Sequence, residues 1–264
     1  MLQKLDCIGS GRASVAYYDG RIYFPTTTGY LYSYNLTPEG LLDTENMIEP
    51  LYTGSRSTST PAIYNGRLYI GMAGGSVGQF PDAGILVVNI EPATGTMTPA
   101  YIVPTDGNPQ SSGCLSTAYT ESAGYNYVYF TTNTGQGPIY MVKDKPGMTE
   151  PDPESGLFWK PDTPQFCIAS IIADSEGTLY YKNDSATMWA IEEIPLSIDN
   201  LTAEGGNAVL DKGQGWNGEE TEHTIIVDSG TASVTLNFEA SQGTSVWIGD
   251  VSGLTHTVEL VFGK

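Results

Sequence analysis

Few side chains in this sequence stand at spacings that do chemistry. Gly74, Gly75, Ser76, Val77 and Gly78 fit the G-x-S-x-G pattern, in which a strand-to-helix turn exposes a serine nucleophile. Here the segment separates two strand-like runs, and the only histidines, His223 and His256, fall in a different region of the chain, so Ser76 reads as part of a glycine-rich loop. Gly213, Gly215 and Gly218 fit the dinucleotide fingerprint, but GQGWNGEE is a polar loop without the strand and helix that motif needs. Two histidines with no third nitrogen or sulfur ligand nearby do not make a transition-metal site. Cys7, Cys114 and Cys167 are too few for a disulfide framework and too widely spaced for zinc. Glu150, Asp152 and Glu154 carry the oxygen ligands calcium takes, without EF-hand spacing, and read as a solvated loop. Calcium is thus the single cofactor left open, and no catalytic residue is assigned.

The residues better suited to binding than to catalysis lie in loops. Gln79, Phe80 and Asp82 fall in the stretch Ala73 to Ala83; Asp106, Asn108 and Gln110 fall in Asp106 to Gly113; Gln136 belongs to a third loop. Amides and carboxylates beside one exposed aromatic suit a neutral, hydroxyl-rich ligand such as a glycan, with Phe80 stacking and the others hydrogen-bonding. A protein ligand is the other partner open to such a face.

The elements that position these loops repeat. SVAYYDGRIYF (14 to 24) and TPAIYNGRLYI (60 to 70) stand 46 residues apart, each an apolar strand, an Asp-Gly or Asn-Gly turn, then Arg and an aromatic strand. STAYTESAGYNYVYF (116 to 130) and ASIIADSEGTLYY (169 to 181) follow the pattern. Hairpin turns are expected at Asp19-Gly20, Asn65-Gly66 and Glu176-Gly177. Third strands follow at 29 to 36, 84 to 91, 138 to 144 and 186 to 193, and weaker fourth strands at 47 to 54, 97 to 105 and 156 to 161. Alternating tyrosines, 17 in all, fill the space between sheets. Aligning the repeats puts Ala118 and Ile171 at the inner-strand anchor, so that Cys114 and Cys167, four residues earlier, occupy equivalent sites too far apart to bond, and three free thiols are expected.

About four strands per repeat is the unit of a propeller blade, and stacked blades cover both faces of each sheet. Residues 10 to 195 resemble the PQQ-like repeat propellers, whose blades end in a strand leading to Asp and then Thr-Gly; ILVVNIEPATG (85 to 95) is the best match. That family's enzymes place Trp after Thr-Gly, where this chain has Met97 and Pro99; only Trp159 resembles it, and the adjacent cysteine pair of the quinone-dependent dehydrogenases is missing. After Pro195 the aromatic hairpins give way to HTIIVD (223 to 228), SVTLNFEA (233 to 240) and HTVELVF (256 to 262). This segment resembles the bacterial cadherin-like sandwich, a spacer, with His223 where that family often has Tyr. The expected fold is all-β: a partial propeller of about four blades over residues 1–195 and a small β-sandwich over 196–264.

Eleven Lys plus Arg against 30 Asp plus Glu give a net charge of -19, which repels nucleic acid and anionic bilayers. No run reaches the roughly 20 apolar residues of a membrane helix, and Met1 to Arg12 lacks the regions of a signal peptide. The chain therefore reads as internal to a longer gene, with an extracellular or cell-surface location following from domain type and the oligomeric state left open. The favoured function is a non-enzymatic surface binding or display module. A quinone-dependent oxidoreductase or polysaccharide-cleaving propeller rests on the repeat likeness alone, and the few basic residues suit a quinone's carboxylates poorly. A scaffold that grips other proteins is the third reading.

Overall fold

In the computed structural model the protein is all-β, built from antiparallel sheets, with no helix among the described residues. Those residues are 3–74, 83–118, 124–191, 198–210, 224–229, 231–240, 247–248, 251–252 and 255–259. By contact density the chain divides into Met1–Glu192 and Glu193–Lys264; Pro195 lies outside the described residues.

The first unit holds four consecutive meander sheets. Sheet one runs β1 (Ala16–Tyr18), β2 (Arg21–Pro25), β3 (Tyr30–Asn35) and β4 (Leu51–Tyr52). Sheet two runs β5 (Ala62–Tyr64), β6 (Arg67–Ala73), β7 (Ala83–Glu91) and β8 (Thr96–Pro104). Sheet three runs β9 (Cys114–Ser116), β10 (Asn126–Thr131), β11 (Ile139–Asp144) and β12 (Gly156–Trp159), and sheet four β13 (Ile172–Ala173), β14 (Leu179–Lys182) and β15 (Met188–Ile191).

Turn chemistry starts the first, second and fourth sheets; residues 119–123, between β9 and β10, lie outside the described residues. Asp19 and Gly20 have φ of 46° and 79°, and Asn65 and Gly66 have 48° and 74°, the paired positive values of a type I′ hairpin. The fourth hairpin is made differently. There Asp174 Oδ1 accepts the backbone N–H groups of Glu176 and Thr178, and only Gly177 takes positive φ. An Asx-type loop thus stands where a two-residue turn was expected.

Alternation along the strands then gives every sheet two apolar faces. Tyr23 and Leu31 of sheet one pack on Leu68, Ile70, Leu86 and Val88 of sheet two. The other face of sheet two, with Tyr69, Ile85, Val87, Tyr101 and Val103, packs on Val128, Phe130, Tyr140 and Val142 of sheet three. Tyr129, Ile139 and Met141 of sheet three pack on Leu179 and Tyr181 of sheet four. The first strands β1, β5, β9 and β13 adjoin in series.

Strand register corrects the alignment of the repeats. Ala16 pairs with Tyr23, Ala62 with Tyr69, Cys114 with Tyr129 and Ile172 with Tyr180. The inner-strand anchors of the third and fourth repeats are therefore Cys114 and Ile172, not Ala118 and Ile171. The third repeat's extra length lies in the connection between β9 and β10, so counting from the second strand overshot the first. Cys114 and Cys167 are not equivalent; both adjoin the core between sheets three and four. All three cysteines are free, with Cys7 exposed, Cys114 half-buried and Cys167 buried.

In the second unit, β16 (Ile198–Glu204), β19 (Ser233–Ala240) and β22 (Thr255–Glu259) form one sheet in the order β16, β19, β22. Between them, β17 (Val209–Leu210) pairs with β18 (Ile225–Ile226), and β20 (Trp247–Ile248) with β21 (Val251–Ser252). Val234 and Leu201 are buried, and His256 lies in register with Leu236.

Candidate functional site

Each sheet of the first unit is entered by a strap of chain that crosses the end of its second strand. The carbonyls of Ser10, Arg56, Asn108 and Phe166, each six residues before its anchor, accept the backbone N–H of Thr27, Ala73, Asn133 and Asp184, each four residues past the paired tyrosine. One hydrogen bond thus recurs in four repeats and ties every strap to the end of the second strand or the start of the connection that follows it. The strap that enters sheet three also lies against the sheet before it: a Cβ added to Gly71 of β6 would meet the Pro109 carbonyl oxygen at 1.9 Å. Glycine there lets the strap lie against the strand.

Straps and loops emerge on one side of the sheets, because in an antiparallel meander strands two and four end at the same edge. Thr105 N–H donates to Ala83 O at 3.1 Å, joining the end of the second-repeat loop to the start of the next strap. The Asp106 carboxylate accepts the Thr132 hydroxyl at 3.1 Å, and Asp106 N–H donates to the Tyr140 hydroxyl at 3.0 Å. Two of the sequence candidates, Asp106 and Gln136, are exposed at this joint, and Asn108 and Gln110 are half-buried in the strap. Gln136 stands in the loop to which Asp106 and Asn108 bond, so the structure brings candidates from two repeats onto one polar surface. Gln79, Phe80 and Asp82, and Ser76 with them, lie outside the described residues, as do Gly213, Gly215, Gly218 and His223.

A second polar cluster, missed in the sequence, is sealed between sheets two and three. Arg67 donates from Nε and Nη2 to the two oxygens of Asp144, each at 2.7 Å, and also reaches Asn89 Oδ1 and Met148 O. The Tyr69 and Tyr101 hydroxyls complete the carboxylate at 2.7 and 2.6 Å. Burial, and then the adjoining Asp144 charge, raises both phenols well above their ordinary range. With Arg67 1% and Asp144 0% exposed, the cluster joins sheets and presents nothing to a ligand. Between sheets one and two, Arg21 occupies the place of Arg67, but Ile90 stands where Asp144 does, and Arg21 Nε donates to Ser33 Oγ at 2.8 Å instead. The sequence signal for the first member was the Arg that follows each hairpin turn; its partner, 77 residues further on, carried none.

The acidic loop at Glu150, Asp152 and Glu154 is organised by a cation of the chain itself. The Lys143 ammonium lies 2.9 Å from Glu154 and 3.8 Å from Asp152. Among the described residues no three His, Cys, Asp or Glu side chains converge as a metal site requires. The chain matches no known protein-family profile and no curated protein.

Proposed function

We propose that the four sheets are consecutive blades of a β-propeller, that the second unit is a small sandwich spacer, and that the chain is a non-enzymatic binding or display module of a bacterial cell-surface protein. The strap face takes the ligand, a glycan. The observation that carries this reading is the recurring strap hydrogen bond, which holds strap and loop together at the same end of each of four stacked sheets. Loops held by rigid scaffolds are where binding residues concentrate. Serial contact of the first strands supports the radial arrangement of blades. The exposed amide of Gln136 and carboxylate of Asp106 match hydroxyl groups in donor and acceptor character. The acidic surface suits a neutral ligand better than an anionic one.

The test is a glycan panel probed with the full chain and with Phe80→Ala, Asp106→Ala and Gln136→Ala. Loss of a charged hydrogen bond is worth about 1.5–3 kcal/mol, so Asp106→Ala should weaken a genuine hit about tenfold or more. A hit that all three variants leave unchanged places the site elsewhere. No hit on the panel removes the ligand class.

A further inference from the structure

The sheets of the first unit pack by one rule. Each presents a front face, marked by Tyr23, Tyr69 or Tyr129, to the back face of the next, marked by Leu68, Val128 or Leu179. Among the described residues the series leaves one face over at each end. On the front of sheet four stand Ile172, Tyr180, Met188 and Ala190, with Ile172 68% and Met188 65% exposed, and the exposed Lys182 beside Met188 at the end of the face. On the back of sheet one, Phe24 stacks with Tyr32 and Tyr34 at centroid distances of 5.3 and 6.0 Å; the two tyrosines are buried beside residues 5–6 and 47–50 of the same chain, and Ile22, Phe24 and Tyr30 are the partly exposed part of the face. Tyr17, in register with Ile22, lies on that back face and is exposed.

The N-terminal residues show what approaches that back face. Ile8 N–H donates to the Tyr32 hydroxyl at 2.8 Å as Asp106 N–H donates to Tyr140, the residue equivalent to Tyr32. Ser10 O accepts from Thr27 as Asn108 O accepts from Asn133. Gly9 lies against Thr28 as Gly107 lies against Thr134, with an added Cβ meeting the threonine side chain at 2.0 and 2.2 Å. Residues 8–10 therefore repeat the geometry of residues 106–108, which leave β8, the fourth strand of the sheet before. By that equivalence Gln3 and Leu5 hold, relative to sheet one, the places that Tyr101 and Val103 of β8 hold relative to sheet three. Sheet four, meanwhile, ends at its third strand among the described residues.

We propose that a second copy of the chain completes both ends: residues 3–5 of one copy run beside β15 of the other as its fourth strand, and the front of sheet four packs on the partner copy's first sheet. Each copy offers one of each face, so two such contacts close a two-fold ring of eight sheets. In sheet two Val87 pairs with Tyr101 and Ile85 with Val103, which sets Ala190 opposite Gln3 and Met188 opposite Leu5 across the contact. Apolar surface at Ile172 and Met188 leaves water, and the edge of β15, unpaired among the described residues, gains a strand.

The inference rests on the blade reading and not on the ligand, and no ligand enters its test, so the two can fail separately. Mass is measured by light scattering on the full chain, followed by oxidation of a Cys7→Ser, Leu5→Cys, Met188→Cys variant. Expected are a dimer mass at micromolar concentration and a disulfide between chains that neither single cysteine variant forms. Ile172→Glu with Met188→Glu should give a monomer with an unchanged far-ultraviolet β spectrum. A wild-type monomer at every concentration overturns the proposal. A disulfide within one chain does so too, because four sheets would then close on themselves, and so does a dimer that survives the double glutamate variant.

Discussion

Replacing Asp144 by Asn keeps the shape of the clasp between sheets two and three and removes its negative charge. The carboxylate accepts two bonds from Arg67 and one each from Tyr69 and Tyr101, and its side chain is fully buried. The variant leaves the Arg67 guanidinium buried without a counter-charge, which costs about 3–5 kcal/mol. For a unit of this size that lowers its melting temperature by roughly 6–20 °C. Arg67→Met should cost a similar amount, because it strands the carboxylate. The double variant Arg67→Met, Asp144→Leu removes both charges and should recover most of the loss, since a buried pair exchanged for apolar side chains is close to neutral. Arg21→Met is the internal control: with Ile90 across from it and Ser33 as its hydrogen-bond partner, it should cost about 1–3 kcal/mol. Calorimetry and urea unfolding of the full chain read all five proteins. The reasoning is refuted if Asp144→Asn costs under about 1 kcal/mol, or if the double variant is as unstable as the sum of the singles.

Tyr69 and Tyr101 have folded pKa values raised above the ordinary 10.0, so their contribution to stability is complete below pH 10 and declines above it, where only the unfolded chain deprotonates. Urea unfolding should therefore show stability falling between pH 10 and 11 by up to about 2.7 kcal/mol for the two groups, and Tyr69→Phe with Tyr101→Phe should flatten that fall. Gly71→Ala places a methyl against the Pro109 carbonyl and should destabilise the first unit by about 1–3 kcal/mol, measured by the same unfolding curves. Gly66→Ala forces a left-handed φ on a side chain that resists it and should cost about 1–2 kcal/mol, whereas Gly11→Ala, with open space around it and no positive φ, should leave the midpoint unchanged. Calorimetry should resolve two transitions, only one of which Asp144→Asn moves; a single transition that moves as a whole would show one cooperative unit in place of two.

Local chemistry accounts for what was legible in the sequence. Asp19-Gly20 and Asn65-Gly66 dictate tight hairpins because both residues must take positive φ, and period-two alternation of tyrosine and aliphatic residues fixes strands with two apolar faces. Those signals act within a few residues, and they yielded four repeats, the second and third strands, and an all-β chain. The acidic composition and the loop positions of Asp106, Asn108, Gln110 and Gln136 were equally plain. What tertiary structure decided involves separations that no local pattern encodes. The third repeat's longer turn hid its register, so Cys114 rather than Ala118 proved to be the anchor. Arg67 follows a visible hairpin, but nothing near Asp144 marks it as the partner, and Arg21 in the same sequence context bonds to Ser33, with Ile90 at the position equivalent to Asp144. The strap joints are backbone hydrogen bonds, indifferent to side-chain identity, so Ser10, Arg56, Asn108 and Phe166 share a role without sharing a residue type.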